Sequence, residues 1–136
     1  ITPPRESIPG SFWGDEEAGL IGHQIYLRRD TPIHSALHET CHFICMDNAR
    51  REQLNTHAGH FQVEENAVCY LQILLADDLS SMGRPRMMSD MDIWGYNFRL
   101  GSTQNWFEQD AQEARDWLLQ HNLIDHSNRS TYQLRS

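Results

Sequence analysis

Residues His38-Glu39-Thr40-Cys41-His42 spell H-E-x-x-H. On a helix, residues four apart share a face, so His38 and His42 can bind one metal ion from adjacent turns. Glu39 leans beside that face without being a ligand. There it can take a proton from a water that the metal activates. The motif thus proposes a metal, a nucleophile and a base together.

The motif needs a helix, and the flanking residues predict one. Thr31 can cap it and Pro32 suits its first turn. Ile33, Ala36, Leu37, Cys41 and Ile44 recur at helical spacing, with no Gly or Pro before Arg50. The bland alternative is two helix histidines beside a surface glutamate. Two histidines also leave the metal incomplete, because catalytic zinc usually takes three protein ligands and an open position. The stretch from Phe61 to Ala76, long, apolar and free of Gly and Pro, predicts a second helix that could carry the third.

The longer pattern H-E-x-x-H-x-x-G-x-x-H is absent, since Cys45 and Asn48 occupy its last two defined positions. With His38, Glu39, His42 and the helix start Glu64-Glu65-Asn66-Ala67, the chain resembles the gluzincin zinc metallopeptidases, distantly those of the ImmA/IrrE type. The resemblance covers about residues 31–76. In several such families a small residue follows the ligand glutamate by three. Glu64 with Ala67 fits that spacing, so Glu64 is the expected third ligand and Glu65 the fallback. An acidic residue four positions after the ligand often orients a metal histidine; here that position is Val68, which leaves the orienter unidentified. The resemblance implies Zn2+ as cofactor, Glu39 as general base and hydrolysis of a peptide or protein substrate. It also implies that the strand before the motif helix forms the rim of the cleft. Some gluzincins use a His or Tyr on the developing oxyanion, which makes His57, His60 and Tyr96 candidates for oxyanion or substrate contacts. His57 or His60 could instead replace Glu64, or be plain loop residues.

Composition is consistent with one domain, 1–136. The net charge of −8 argues against nonspecific nucleic-acid binding, which needs clustered Lys and Arg; Arg28-Arg29 and Arg50-Arg51 are too short for that. No run approaches a membrane span and no apolar signal segment is visible, so the expectation is a cytoplasmic protein without membrane contact. Three cysteines, Cys41, Cys45 and Cys69, sit in apolar stretches and read as reduced packing residues. A Cys45–Cys69 disulfide or a cysteine zinc ligand is a weaker reading. His34, one turn before His38, and His23 carry little weight as ligands.

Along the chain, residues 1–11 read as an irregular arm and Phe12-Trp13 as a short strand. Ile21, His23, Ile25 and Leu27 alternate with period two, which predicts a strand over Leu20–Arg28. Met82, Met87, Met88 and Met91, with Ile93, Trp94, Tyr96 and Phe98, read as core packing or as an apolar lid. Trp106 to Leu123 predicts one closing helix, capped by Ser102 or Thr103, and 125–136 a loose polar tail. The expected architecture is α+β and zincin-like, a small N-terminal sheet packed on about three helices. Two other functions stay open, a non-catalytic zinc-binding or interaction domain with an occluded site and a metal-free binding domain. The oligomeric state is open too.

Overall fold

The computed structural model describes residues 19–21, 24–51 and 62–136. Six α-helices dominate these residues. They are α1 (Ile33–Cys45), α2 (Asn48–Arg51), α3 (Gln62–Leu75), α4 (Arg84–Ile93), α5 (Thr103–Gln109) and α6 (Gln112–Gln120). The β structure is a ribbon of two strands, β1 (Gly19–Ile21) and β2 (Gln24–Tyr26). They pair antiparallel with Leu20 opposite Ile25. The architecture is therefore helical, which corrects the α+β expectation of a sheet packed on about three helices. The alternation over Leu20–Arg28 is shared between two short strands that pair with each other, so it supplies no sheet layer. The expected arm 1–11, the Phe12-Trp13 strand, His23, His57 and His60 lie outside the described residues.

Helix α3 is the centre. Every residue from Ala67 to Leu74 is buried, as expected of a helix covered on all sides. α1 packs on it from one side and α6 from another. Leu71, Ile73, Met87, Met91, Leu118 and Leu123 are fully enclosed, each contributing about 1.5–3 kcal/mol by burial. The methionines of α4 thus fill the core.

The helix ends differ in part from the sequence signals. Thr31 does not cap α1; its Oγ1 accepts from Arg28 N at 2.7 Å and closes the preceding turn. Pro32 takes the cap position, and its carbonyl starts the helical ladder by accepting from Ser35 N and Ala36 N. At the other end of α1 the orphan carbonyls are met by arginines. Buried Arg51 donates to Phe43 O and Ile44 O at 2.7 and 2.9 Å, and Arg135 N donates to Ile44 O at 3.0 Å. The expected loose tail is thereby tied to α1. The closing helix is two helices, because the chain leaves helical geometry at Asp110 and Ala111 between α5 and α6. Arg99 grips the Asp110 carboxylate there with two hydrogen bonds of 2.6 and 2.7 Å. Ser102 is the α5 cap, its Oγ accepting from Asn105 N at 3.1 Å.

Candidate metal centre on helices α1 and α3

His38 and His42 point from adjacent turns of α1 toward the first turns of α3. Their Nε2 atoms lie 3.0 Å apart. The carboxylate that meets them is that of Glu65, with Oε1 3.2 Å from His38 Nε2 and Oε2 3.1 Å from His42 Nε2. Glu65 lies in the first turn of α3, where the helix dipole favours a negative charge.

Glu64 takes no part in this cluster, which corrects the expected ligand. It is buried, and its Oε2 accepts from Arg50 Nη2 at 2.6 Å and lies 3.4 Å from Arg135 Nη1. One residue along a helix turns a side chain by about 100°. With Glu65 turned toward α1, Glu64 is carried round to the arginines of α2 and the tail.

Gln72 is the residue that sequence reasoning missed. It lies seven positions after Glu65, on the same face of α3, and is fully buried. Its Oε1 is 2.8 Å from His38 Nδ1, and its Nε2 donates to His34 O at 3.0 Å. A visible signal existed: Gln72 is the one polar side chain in the run Val68–Leu75 apart from the Tyr70 hydroxyl. The buried Cys69 thiol, four positions after Glu65, also reaches the centre. One ligand atom each from His38, Glu65 and Cys69 lie within 4.8 Å of one another.

Tyr96 is brought to the same place by the end of α4. Gly95 has φ +85°, Tyr96 N donates to Met91 O and Gly95 N to Asp92 O. This glycine-terminated turn needs a left-handed residue at Gly95 and aims the next residue back across the helix. The Tyr96 ring stands edge-on to His38, centroids 5.4 Å apart, and its hydroxyl lies 3.1 Å from His34 Nδ1. Trp94 flanks His34 at 5.0 Å. His34 is thus part of the surround and not of the donor cluster. Glu39 is half-buried on α1, one residue beyond His38.

The electrostatics follow from this crowding. Burial would depress the His38 imidazole, yet the Cys69 thiol and the Glu65 carboxylate hold it well above the usual range. Burial would raise Glu65, but the two imidazoles hold its carboxyl well below the usual carboxylate range. Burial, with His38 nearby, pushes His34 down to about 4. Burial raises the Tyr96 hydroxyl, against the pull of His38 and Gln72.

The donor set fits a zinc ion. Tetrahedral zinc with Zn–N and Zn–O bonds of ~2.0–2.1 Å requires its ligand atoms to lie about 3.3 Å from one another. Here the two imidazole nitrogens are 3.0 Å apart, and they lie 3.2 and 3.1 Å from the two separate oxygens of the Glu65 carboxylate. The three cysteines are free and buried, so the Cys45–Cys69 bridge does not form. Among the described residues no helix is long and apolar enough to cross a membrane. No family model, curated protein or solved structure matches the chain.

Proposed function

We propose that this chain is a zinc-dependent metallopeptidase in which His38, His42 and Glu65 hold the metal and Glu39 is the general base. The observation that carries the reading is the cluster of donor atoms that α1 and α3 bring together: two imidazole nitrogens 3.0 Å apart, each within 3.2 Å of a different oxygen of the Glu65 carboxylate. Zinc bound there supplies Lewis acidity, which acidifies water and polarises a carbonyl. Glu39 accepts the proton that the attacking water loses and passes it to the leaving amine nitrogen. The Tyr96 hydroxyl, within reach of the imidazole cluster, donates toward the developing oxyanion. The substrate is a peptide or protein, and buried free thiols fit the reducing cytoplasm.

The test is metal content followed by hydrolysis of a mixed peptide library. The expected result is about one zinc per chain, cleavage by wild type, and no cleavage by Glu39→Gln with zinc retained. A wild type that takes up no zinc sinks the reading.

One observation favours a second reading, a non-catalytic zinc centre. Cys69 lies beside His38 and Glu65, and a thiolate there would close the coordination. Cobalt-loaded protein separates the two. A thiolate charge-transfer band that disappears in Cys69→Ser supports the closed centre, and its absence supports the hydrolase.

A further inference from the structure

We propose that Gln72 is the positioning residue of the centre: its carboxamide selects the His38 tautomer that leaves Nε2 bare for the metal. The inference rests on the metal reading above and names how this chain orients its ligand. The usual acidic partner of a metal histidine is replaced here by a neutral amide.

Hydrogen-bond direction fixes the tautomer. Gln72 is fully enclosed, so both ends of its amide must be satisfied inside the protein. One end lies 3.0 Å from His34 O, which can only accept. That end must be the NH2 group, and a thioether 3.4 Å away, Met87 Sδ, is a second weak acceptor for it. The opposite end is therefore the carbonyl oxygen, and it faces His38 Nδ1 at 2.8 Å. A carbonyl only accepts, so Nδ1 carries the hydrogen. In the neutral ring Nε2 then holds a lone pair, and it points at His42 Nε2 and Glu65. His42 has no such director; its Nδ1 is buried without a hydrogen-bond partner among the described residues. Gln72 is thus the director of the pair on the Nδ1 side, opposite the Glu65 carboxylate. Because the amide is neutral, it fixes the ring without adding a second negative charge beside Glu65.

Two variants separate this role from simple packing. Gln72→Glu keeps an acceptor for His38 Nδ1 but loses the donation to His34 O. Gln72→Leu loses both. The tautomer is read from ring nitrogen shifts of nitrogen-15-labelled histidine in the metal-free protein, taken to a pH at which the ring is neutral. Zinc affinity is read by competition with a chromophoric chelator. The expected result is an Nδ1–H tautomer for His38 in wild type and in Gln72→Glu. Gln72→Leu shifts toward Nε2–H and binds zinc about 10–100-fold more weakly, while Gln72→Glu stays within a few-fold of wild type. Wild-type zinc binding with His38 as the Nε2–H tautomer overturns the inference and leaves the metal centre standing. So does equal weakening of zinc in both variants, which would make Gln72 a bridge to His34 O alone. The wild-type tautomer decides the matter even if Gln72→Glu does not fold. No zinc binding by wild type removes the metal reading and this one with it.

Discussion

Glu64 and Glu65 are neighbours in the chain whose carboxylates serve different parts of the molecule: Glu65 lies between His38 and His42, while Glu64 is buried against Arg50 and Arg135. A single-atom change at each position should therefore give different phenotypes. Glu65→Gln is expected to lose zinc and, in the metal-free protein at neutral pH, the stability that its carboxylate draws from the two imidazoles. Glu64→Gln is expected to keep zinc and lose about 1–3 kcal/mol of stability, because the buried carboxylate no longer pairs as a charge with half-buried Arg50 and Arg135, although Arg50 keeps Asp47 at 3.5 Å. Elemental analysis and urea unfolding of both variants check this; zinc loss in Glu64→Gln alone would reverse the assignment.

The pH dependence of zinc binding follows from the direction of the His38 shift. Its imidazole is held above the usual range, mainly by the Cys69 thiol and Glu65 acting against burial. Zinc must displace that proton. Apparent zinc affinity should rise about tenfold per pH unit from mildly acid pH up to the raised His38 value, then level off. In the metal-free protein the signs differ. The His38 contribution to stability is complete below its unfolded value of about 6.5 and is lost as pH rises through the raised folded value. The Glu65 contribution is present above about 4.3 and is lost only as pH falls far into the acid range. Zinc titrations and unfolding curves across pH measure both limbs.

His34 should set a separate acid limb. Burial, with His38 nearby, pushes it down to about 4, so it is neutral in the folded protein where the unfolded chain is already protonated. The unfolded state then binds more protons, and stability falls as pH drops from about 6.5 toward 4. His34→Phe should flatten that part of the stability curve. An unchanged slope would show that another group carries it.

The last residues should matter more than their polarity suggests. Arg135 donates to Cys45 O at 3.3 Å, lies 3.4 Å from Glu64 and stands over the Trp117 ring at 5.2 Å. Arg135→Ala is expected to destabilise by about 1–2 kcal/mol. Removal of residues 134–136 should lower stability further, since it also removes the Arg135 N–H bond to the Ile44 carbonyl, which then keeps Arg51 alone. Thermal unfolding of the two variants tests the docking, and wild-type stability in both would show that the tail contributes nothing.

The helices that carry the candidate site were legible in the sequence. Apolar spacing around His38 and His42 placed them inside α1 (Ile33–Cys45), and an unbroken apolar run anticipated α3 (Gln62–Leu75). Local periodicity is enough for this, because a helix face depends on residues three and four apart. Less legible were the ends and breaks. Thr31 could cap a helix by type, but Arg28 N claims its hydroxyl. The periodic run Trp106–Leu123 is interrupted at Asp110 and Ala111, where Arg99, eleven positions before Asp110, meets its carboxylate.

What the sequence by itself determined is that two imidazoles share one helix face and that a pair of glutamates opens a second helix. Which glutamate joins the imidazoles was decided only by tertiary structure. A helix with one polar side reveals its rotation from its pattern, but α3 is buried on nearly every side, so its pattern carries no phase. The packing of α3 between α1 and α6 sets that phase, and with it turns Glu65 to the histidines, Glu64 to the arginines and Gln72 beneath His38.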